Sequence, residues 1–151
     1  MRELKIGNLT AKVPIIQGGM GVGVSLDALA AAVANEGGIG TLSATGVGFD
    51  LPEYKENPEE TSVKALRELI RSTREKTDGI VAINIMVALS NYELFVKTAV
   101  EEKIDIVFSG AGLPLELPKF LTDNAQTKLV PIVSSVRAAN IITKKWLGKY
   151  N

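Results

Sequence analysis

The sequence predicts an α/β chain of repeating βα units around a parallel sheet, and three observations predict it. After residue 12, short apolar runs alternate with amphipathic stretches, the pattern of strand, crossover helix and parallel strand. The centres of the apolar runs fall near residues 15, 41, 83, 107 and 131, about 24 to 26 residues apart except across one insertion, which is a barrel-like period. Fourteen glycines in 151 residues, with aromatics at 5%, suit many tight strand-to-helix turns.

The elements follow in order. Leu4-Lys5-Ile6 and Leu9-Thr10-Ala11 flank Gly7-Asn8, a two-residue turn signal, so residues 1–12 form a small hairpin expected to plug one end of the sheet. Residues 13–151 then hold five βα units. Val13 to Gln17 is the first strand. Gly18-Gly19-Met20-Gly21 leads out of it, and Ser25 is placed as a helix N-cap. Leu26, Leu29, Ala30 and Val33 recur at i, i+3, i+4 and i+7, and Gly37-Gly38 supplies a left-handed stop. Ile39 to Ser43 is the second strand.

Thr45 to Glu60, with Gly46, Gly48, Pro52 and Pro58, breaks both periodicities and reads as a loop insertion. Thr61 or Ser62 caps a helix with Val63, Leu66, Leu69 and Ile70 inward and Arg67, Glu68, Arg71 and Arg74 in water. Ile80 to Val87 is the most apolar strand, as expected for one buried on both faces; its one polar residue is Asn84. Asn91 caps a helix striped by Tyr92, Phe95, Val96 and Ala99. Ile104 to Phe108 is the fourth strand, Ser109-Gly110-Ala111-Gly112 its exit turn, and Leu113 to Asn124 a short helix with Pro114 in its first turn. Leu129 to Val133 is the fifth strand. Ser134 or Ser135 caps the last helix, striped by Ala139, Ile142 and Trp146.

Composition excludes several functions. Seventeen Lys and Arg balance seventeen Asp and Glu, so no basic field exists to hold nucleic acid or an anionic membrane. With neither Cys nor His, this chain has no disulfide, thiol nucleophile, zinc-finger ligand set or imidazole base. Met1 to Lys12 lacks a signal-peptide core and no apolar run approaches the ~20 residues of a membrane span, so a soluble cytoplasmic protein is expected. No carboxylates show metal-ligand spacing; Glu101, Glu102 and Asp105 read as a solvated helix end. Lys144, Lys145 and Lys149 suit a helix C-terminus. No residue is assigned a catalytic role.

A closed eight-stranded barrel takes roughly 250 residues and at least ~200. Five units in 151 residues are therefore either an open doubly wound sheet or the first five-eighths of a barrel, and composition does not separate them. The glycines of Gly18 to Gly21 either let a planar ligand approach backbone amides or serve an ordinary βα turn. Asn84, between Ile83 and Ile85, needs a partner, because an unpaired buried amide costs roughly 1 to 3 kcal/mol; a backbone group or a ligand would serve.

Pro14-Ile15-Ile16-Gln17-Gly18-Gly19-Met20-Gly21, with Ala32 to Leu42 after it, resembles the opening of the nitronate monooxygenase family. Asn84 within Val81 to Val87, the Ser109 to Gly112 turn, and Val130-Pro131-Ile132-Val133-Ser134-Ser135-Val136 match in the same order. Flavin-dependent enoyl-acyl-carrier-protein reductases are similar. The resemblance implies an FMN enzyme on a (β/α)8 TIM-type barrel, incomplete here, that oxidises alkyl nitronates with dioxygen. It implies Gly19, Met20, Gly21, Asn84, Gly110, Gly112 and Ser135 as flavin-binding residues. In the family a later strand carries a Glu-Ala-Gly-Gly-His type motif whose His is the base, and later glycine-rich loops hold the phosphate. This chain stops before both, so it reads as the amino-terminal part of such an enzyme. Its alternatives are the reductase, a catalytically inactive partial barrel, and a complete five-stranded nucleotide-binding domain. A small-molecule substrate is expected, with self-association through the exposed sheet edge.

Overall fold

The computed structural model describes residues 2–150, so the outer limits of the two expected segments, Met1 and Asn151, lie outside the described residues. The amino-terminal hairpin pairs β1 (Leu4–Ile6) with β2 (Leu9–Ala11), turning at Gly7 with φ +59°. Four parallel strands follow in the order β3 (Ile39–Ser43), β4 (Ile80–Met86), β5 (Ile106–Gly110) and β6 (Lys128–Pro131). The helices are α1 (Asp27–Asn35), α2 (Pro58–Lys76), α3 (Tyr92–Glu101) and α4 (Val136–Lys149).

The expected first strand is present in reduced form. Ile16 makes a single parallel bridge to Ile39, carried by Ile39 N–H to Ile15 O (2.9 Å) and Gln17 N–H to Ile39 O (3.0 Å). Pro14 lacks an N–H, and Ile15 N–H folds back to Val13 O at 2.8 Å, so the segment kinks where a full strand would run straight. The Gln17 carboxamide then continues the ladder in place of backbone: Thr41 N–H donates to Gln17 Oε1 (3.3 Å) and Gln17 Nε2 donates to Thr41 O (3.1 Å).

Side chains alternate across the sheet, and the two faces differ. Leu42, Val81, Ile83, Ile85 and Val107 meet Ala30 and Ala34 of α1, Leu66 and Ile70 of α2, and Phe95, Val96 and Ala99 of α3 in the main core. On the other face Ile39, Ala82, Ile106 and Phe108 meet Leu4, Ile6, Leu9 and Ala11 of the hairpin, which covers the amino ends of the strands. Helices on one face and a plug at the bottom of the other make this the wall of an incomplete (β/α) barrel. A doubly wound sheet would carry helices on both faces.

Several local expectations need correction. Ser25 does not cap α1; Leu26 occupies the N-cap and makes no side-chain bond there. α2 starts earlier than Thr61, at Pro58, whose missing N–H suits the first helical turn, and Pro52–Lys55 forms a 3-10 turn inside the insertion. The fourth strand is shifted to Ile106–Gly110, and Leu113 to Asn124 holds one 3-10 turn, Leu117–Phe120, because Pro118 and the short polar run after it give too little length for a helix. Glu101 and Glu102 are not simply solvated: Arg67 bonds both, and Arg71 grips Glu102 at 2.7 Å through two nitrogens, tying α2 to the end of α3. Asp105 pairs with Arg74 at 2.7 Å and accepts from Val81 N–H. Lys145 and Lys149 reach Glu116, which lowers that carboxyl to about 2, chiefly through Lys149.

Candidate functional site

The uncovered part of the inner face, toward the carboxyl ends of the strands, holds a cleft of 620 Å³. Its walls are Ile16, Phe108 and Ile132, the backbone of Gly18 to Gly21, and the polar side chains of Gln17, Thr41 and Asn84. The strand register explains the grouping. Thr41, Ala82, Ile106 and Lys128 share one row; Ser43, Asn84, Phe108 and Val130 share the next row toward the carboxyl ends. Both rows point inward.

Gly19 lies directly on Asn84. A Cβ built on Gly19 would stand 2.5 Å from Asn84 Cβ and 3.1 Å from Leu42 O, so any larger residue would push this loop off the strand ends. Asn84 Nδ2 donates to Gly19 O at 3.3 Å, the backbone partner its amide requires, and Asn84 is half-buried rather than enclosed on both faces. Ser25, buried, holds the rest of the loop: its Oγ accepts from Met20 N–H (2.9 Å) and from Gln17 Nε2 (3.2 Å) and donates to Gly18 O (3.2 Å). The serine that sequence pattern makes a helix cap is thus the internal brace of the glycine loop. Met20, 62% exposed, lies between this cleft and a smaller one of 340 Å³ under Phe49 and Leu69.

The structure brings together Gly19, Met20, Gly21 and Asn84 of the residues expected at the site. Gly110, Gly112 and Ser135 stand outside the cleft lining. A Cβ on Gly110 would meet Ile132 Cβ at 2.9 Å, and one on Gly112 would meet Val87 Cβ at 2.9 Å, so both glycines serve close packing at the rim. Ser135 caps α4, its Oγ accepting from Ala138 N–H at 3.1 Å. Sequence reasoning missed Thr41, Gln17, Phe108 and Ile132. The period-2 pattern of Ile39 to Ser43 carried the signal for Thr41, since it puts Thr41 on the face opposite Leu42.

No ionisable side chain lines the cleft among the described residues. Its chemistry is that of a receptacle: apolar walls, close-approach backbone and a few neutral polar groups, which can bind, orient and dry a flat ligand. The flavin implied by the resemblance fits on these grounds. Its ring is planar and largely apolar with heteroatoms at the edge, which matches an apolar lining with a few neutral polar groups, and the buried Thr41 Oγ1 has no partner among the described residues. The flavin phosphate finds no Lys or Arg in this lining.

Among solved structures the chain is similar to FabK from Thermotoga maritima, at 30% identity and TM-score 0.66, covering 87% of this chain and 37% of that one. A single-substitution mutant of the same FabK gives 31% identity and TM-score 0.71, covering 89% and 40%. The nitroalkane oxidase from Streptomyces ansochromogenes shares the fold at 18% identity and TM-score 0.70, covering 89% and 44%. The chain therefore spans less than half the length of these proteins. Comparison with curated proteins gave no significant match. The nitronate monooxygenase family profile matches residues 2–148, nearly the whole chain, and the chain belongs to that family.

Proposed function

We propose that this chain is the amino-terminal part of a flavin-dependent oxidoreductase of the nitronate monooxygenase type, with the FMN ring in the 620 Å³ cleft and alkyl nitronates as substrates. The observation that carries the reading is Gly19 lying on Asn84, with Gly18 to Gly21 and Asn84 lining one cleft at the carboxyl ends of the strands. When bound, the flavin supplies an electron acceptor for the nitronate and a route for those electrons to dioxygen. Gly19, Met20 and Gly21 would hold the ring from the loop side of the cleft. Asn84 offers its Oδ1, which takes no hydrogen bond among the described residues, to a donor at the ring edge. Ile16, Phe108 and Ile132 would supply apolar wall and exclude water from it. Gly110, Gly112 and Ser135 belong, in this reading, to the rim toward the rest of the ligand. Residues 2–12 act as the hairpin plug and residues 13–150 as the barrel wall. Among the described residues no helix is long and apolar enough to cross a membrane, and we assign the protein to the cytoplasm.

The 30% identity to FabK supports a second reading, reduction of an enoyl thioester with hydride from a nicotinamide. Fluorescence titration tests the shared step. With no cation in the lining, riboflavin and FMN should bind with affinities within about threefold of each other. Absence of saturable binding by either would leave the inactive partial barrel. Anaerobic bleaching of the bound flavin then separates the two activities: an alkyl nitronate reduces it in the first reading, NADH or NADPH alone in the second.

A further inference from the structure

We propose that Thr41 is a ligand-binding residue of the cleft, its hydroxyl donating to an acceptor atom, a carbonyl oxygen or ring nitrogen, of the planar heteroaromatic bound there. The inference rests on the flavin reading and adds a residue to which the resemblance assigns no role.

Three polar side chains line the cleft, and the fold uses two of them. Gln17 spends its carboxamide on Thr41 N–H, Thr41 O and Ser25 Oγ. Asn84 spends its Nδ2 on Gly19 O. The third, Thr41, is 1% exposed, and its Oγ1 is the buried side-chain polar atom left without a hydrogen bond among the described residues. Its own backbone does not explain the hydroxyl, because Gln17 already satisfies both Thr41 N–H and Thr41 O. A valine would fill the same space without a buried unpaired oxygen, and native interiors rarely leave such a group without a role.

Position supports the assignment. Thr41 stands in the inward-facing row next to that of Asn84, on the floor of the cleft. Its row neighbour Ala82 and the adjacent Ile106 are apolar and buried, and neither side chain can take the proton. A ligand seated in the cleft beside Gly18 to Gly21 therefore meets two neutral polar points, Asn84 Oδ1 as acceptor and Thr41 Oγ1 as donor, in an otherwise apolar floor. Such sparse polar groups are what orient a flat ligand in an apolar pocket.

Thr41→Val and Thr41→Ser test this with riboflavin as the probe, read by fluorescence titration alongside urea unfolding of the ligand-free chain. Thr41→Val should raise the Kd for riboflavin about three- to tenfold while leaving the urea midpoint unchanged or higher, since it removes an unpaired buried hydroxyl. Thr41→Ser should keep the wild-type Kd within about twofold, whatever it does to the midpoint. An unchanged Kd in Thr41→Val, with wild type binding normally, overturns the role of Thr41 and leaves the flavin reading standing. A lower midpoint in Thr41→Val that accompanies any loss of affinity makes the hydroxyl structural and also overturns it. Failure of wild type to bind riboflavin overturns the flavin reading and this assignment together.

Discussion

Asn84 joins the fold to the cleft through two ends of one amide. Nδ2 fastens the glycine loop through Gly19 O, while Oδ1 stays open to a ligand. Asn84→Leu removes both. Gly19 is half-buried, so water can take over its carbonyl, and the stability loss should stay within about 1.5 kcal/mol by urea unfolding. Flavin affinity should fall about tenfold or more in titration of the same variant. Unchanged affinity would remove Asn84 from the site. Asn84 and Gly19 were legible in the sequence because a lone amide in an apolar strand and a run of glycines stand out against their neighbours. Thr41 was not, because threonine is at home in strands; only the pairing of Gln17 with its backbone shows that the hydroxyl is left over.

At the scale of elements, α1 is seated on the sheet by close approach at Gly40. A Cβ there would stand 1.9 Å from Ala30 O and 2.7 Å from Ala30 C, both helix backbone, which cannot move aside as a flexible side chain can. Gly40→Ala should therefore cost about 3 kcal/mol in urea unfolding. α1 is also tied to α2 by electrostatics. Asp27 accepts from Lys76 Nζ and Ser72 Oγ, both at 2.5 Å, and the lysine ammonium first and the serine second hold its carboxyl down from 3.8 to about 2. A carboxylate depressed in the folded state stabilises above its unfolded value, and that contribution is lost as pH falls from 3.8 toward about 2. Asp27→Asn should lower stability at neutral pH and flatten the acid limb across that window; an identical limb in both proteins would show that the pair contributes nothing. The apolar stripes of these helices were readable in sequence, whereas their starts were not. Ser25 had a better use inside the glycine loop, and Pro58 set the start of α2 ahead of the hydroxyls that looked like caps.

The molecule as a whole is a curved wall with helices outside and a cleft inside. The repeat period and the glycine turns made the βα units legible, but not the one-sidedness of the helices. Alternating strand and helix patterns read alike for a barrel wall and a doubly wound sheet; the difference lies in which face of the sheet each crossover covers. β6 is an edge strand among the described residues, and Ile132 beyond it is 53% exposed. At the opposite side Ile16 is 44% exposed beside its single bridge. Open backbone groups flanked by apolar side chains template further pairing, so we propose that a second copy of this chain covers them. Light scattering should give a mass that rises with concentration, and a monomer at all concentrations would oppose it.

The central claim, that the inner-face cleft receives a flavin ring, is tested most directly by amide chemical-shift mapping of the isotope-labelled chain during a riboflavin titration. The account predicts saturable shifts confined to Gly18 to Gly21, Thr41, Asn84, Phe108 and Ile132. Shifts centred instead on Phe49, Ala65 and Leu69 around the smaller cleft, or no saturable shifts at all, would contradict it.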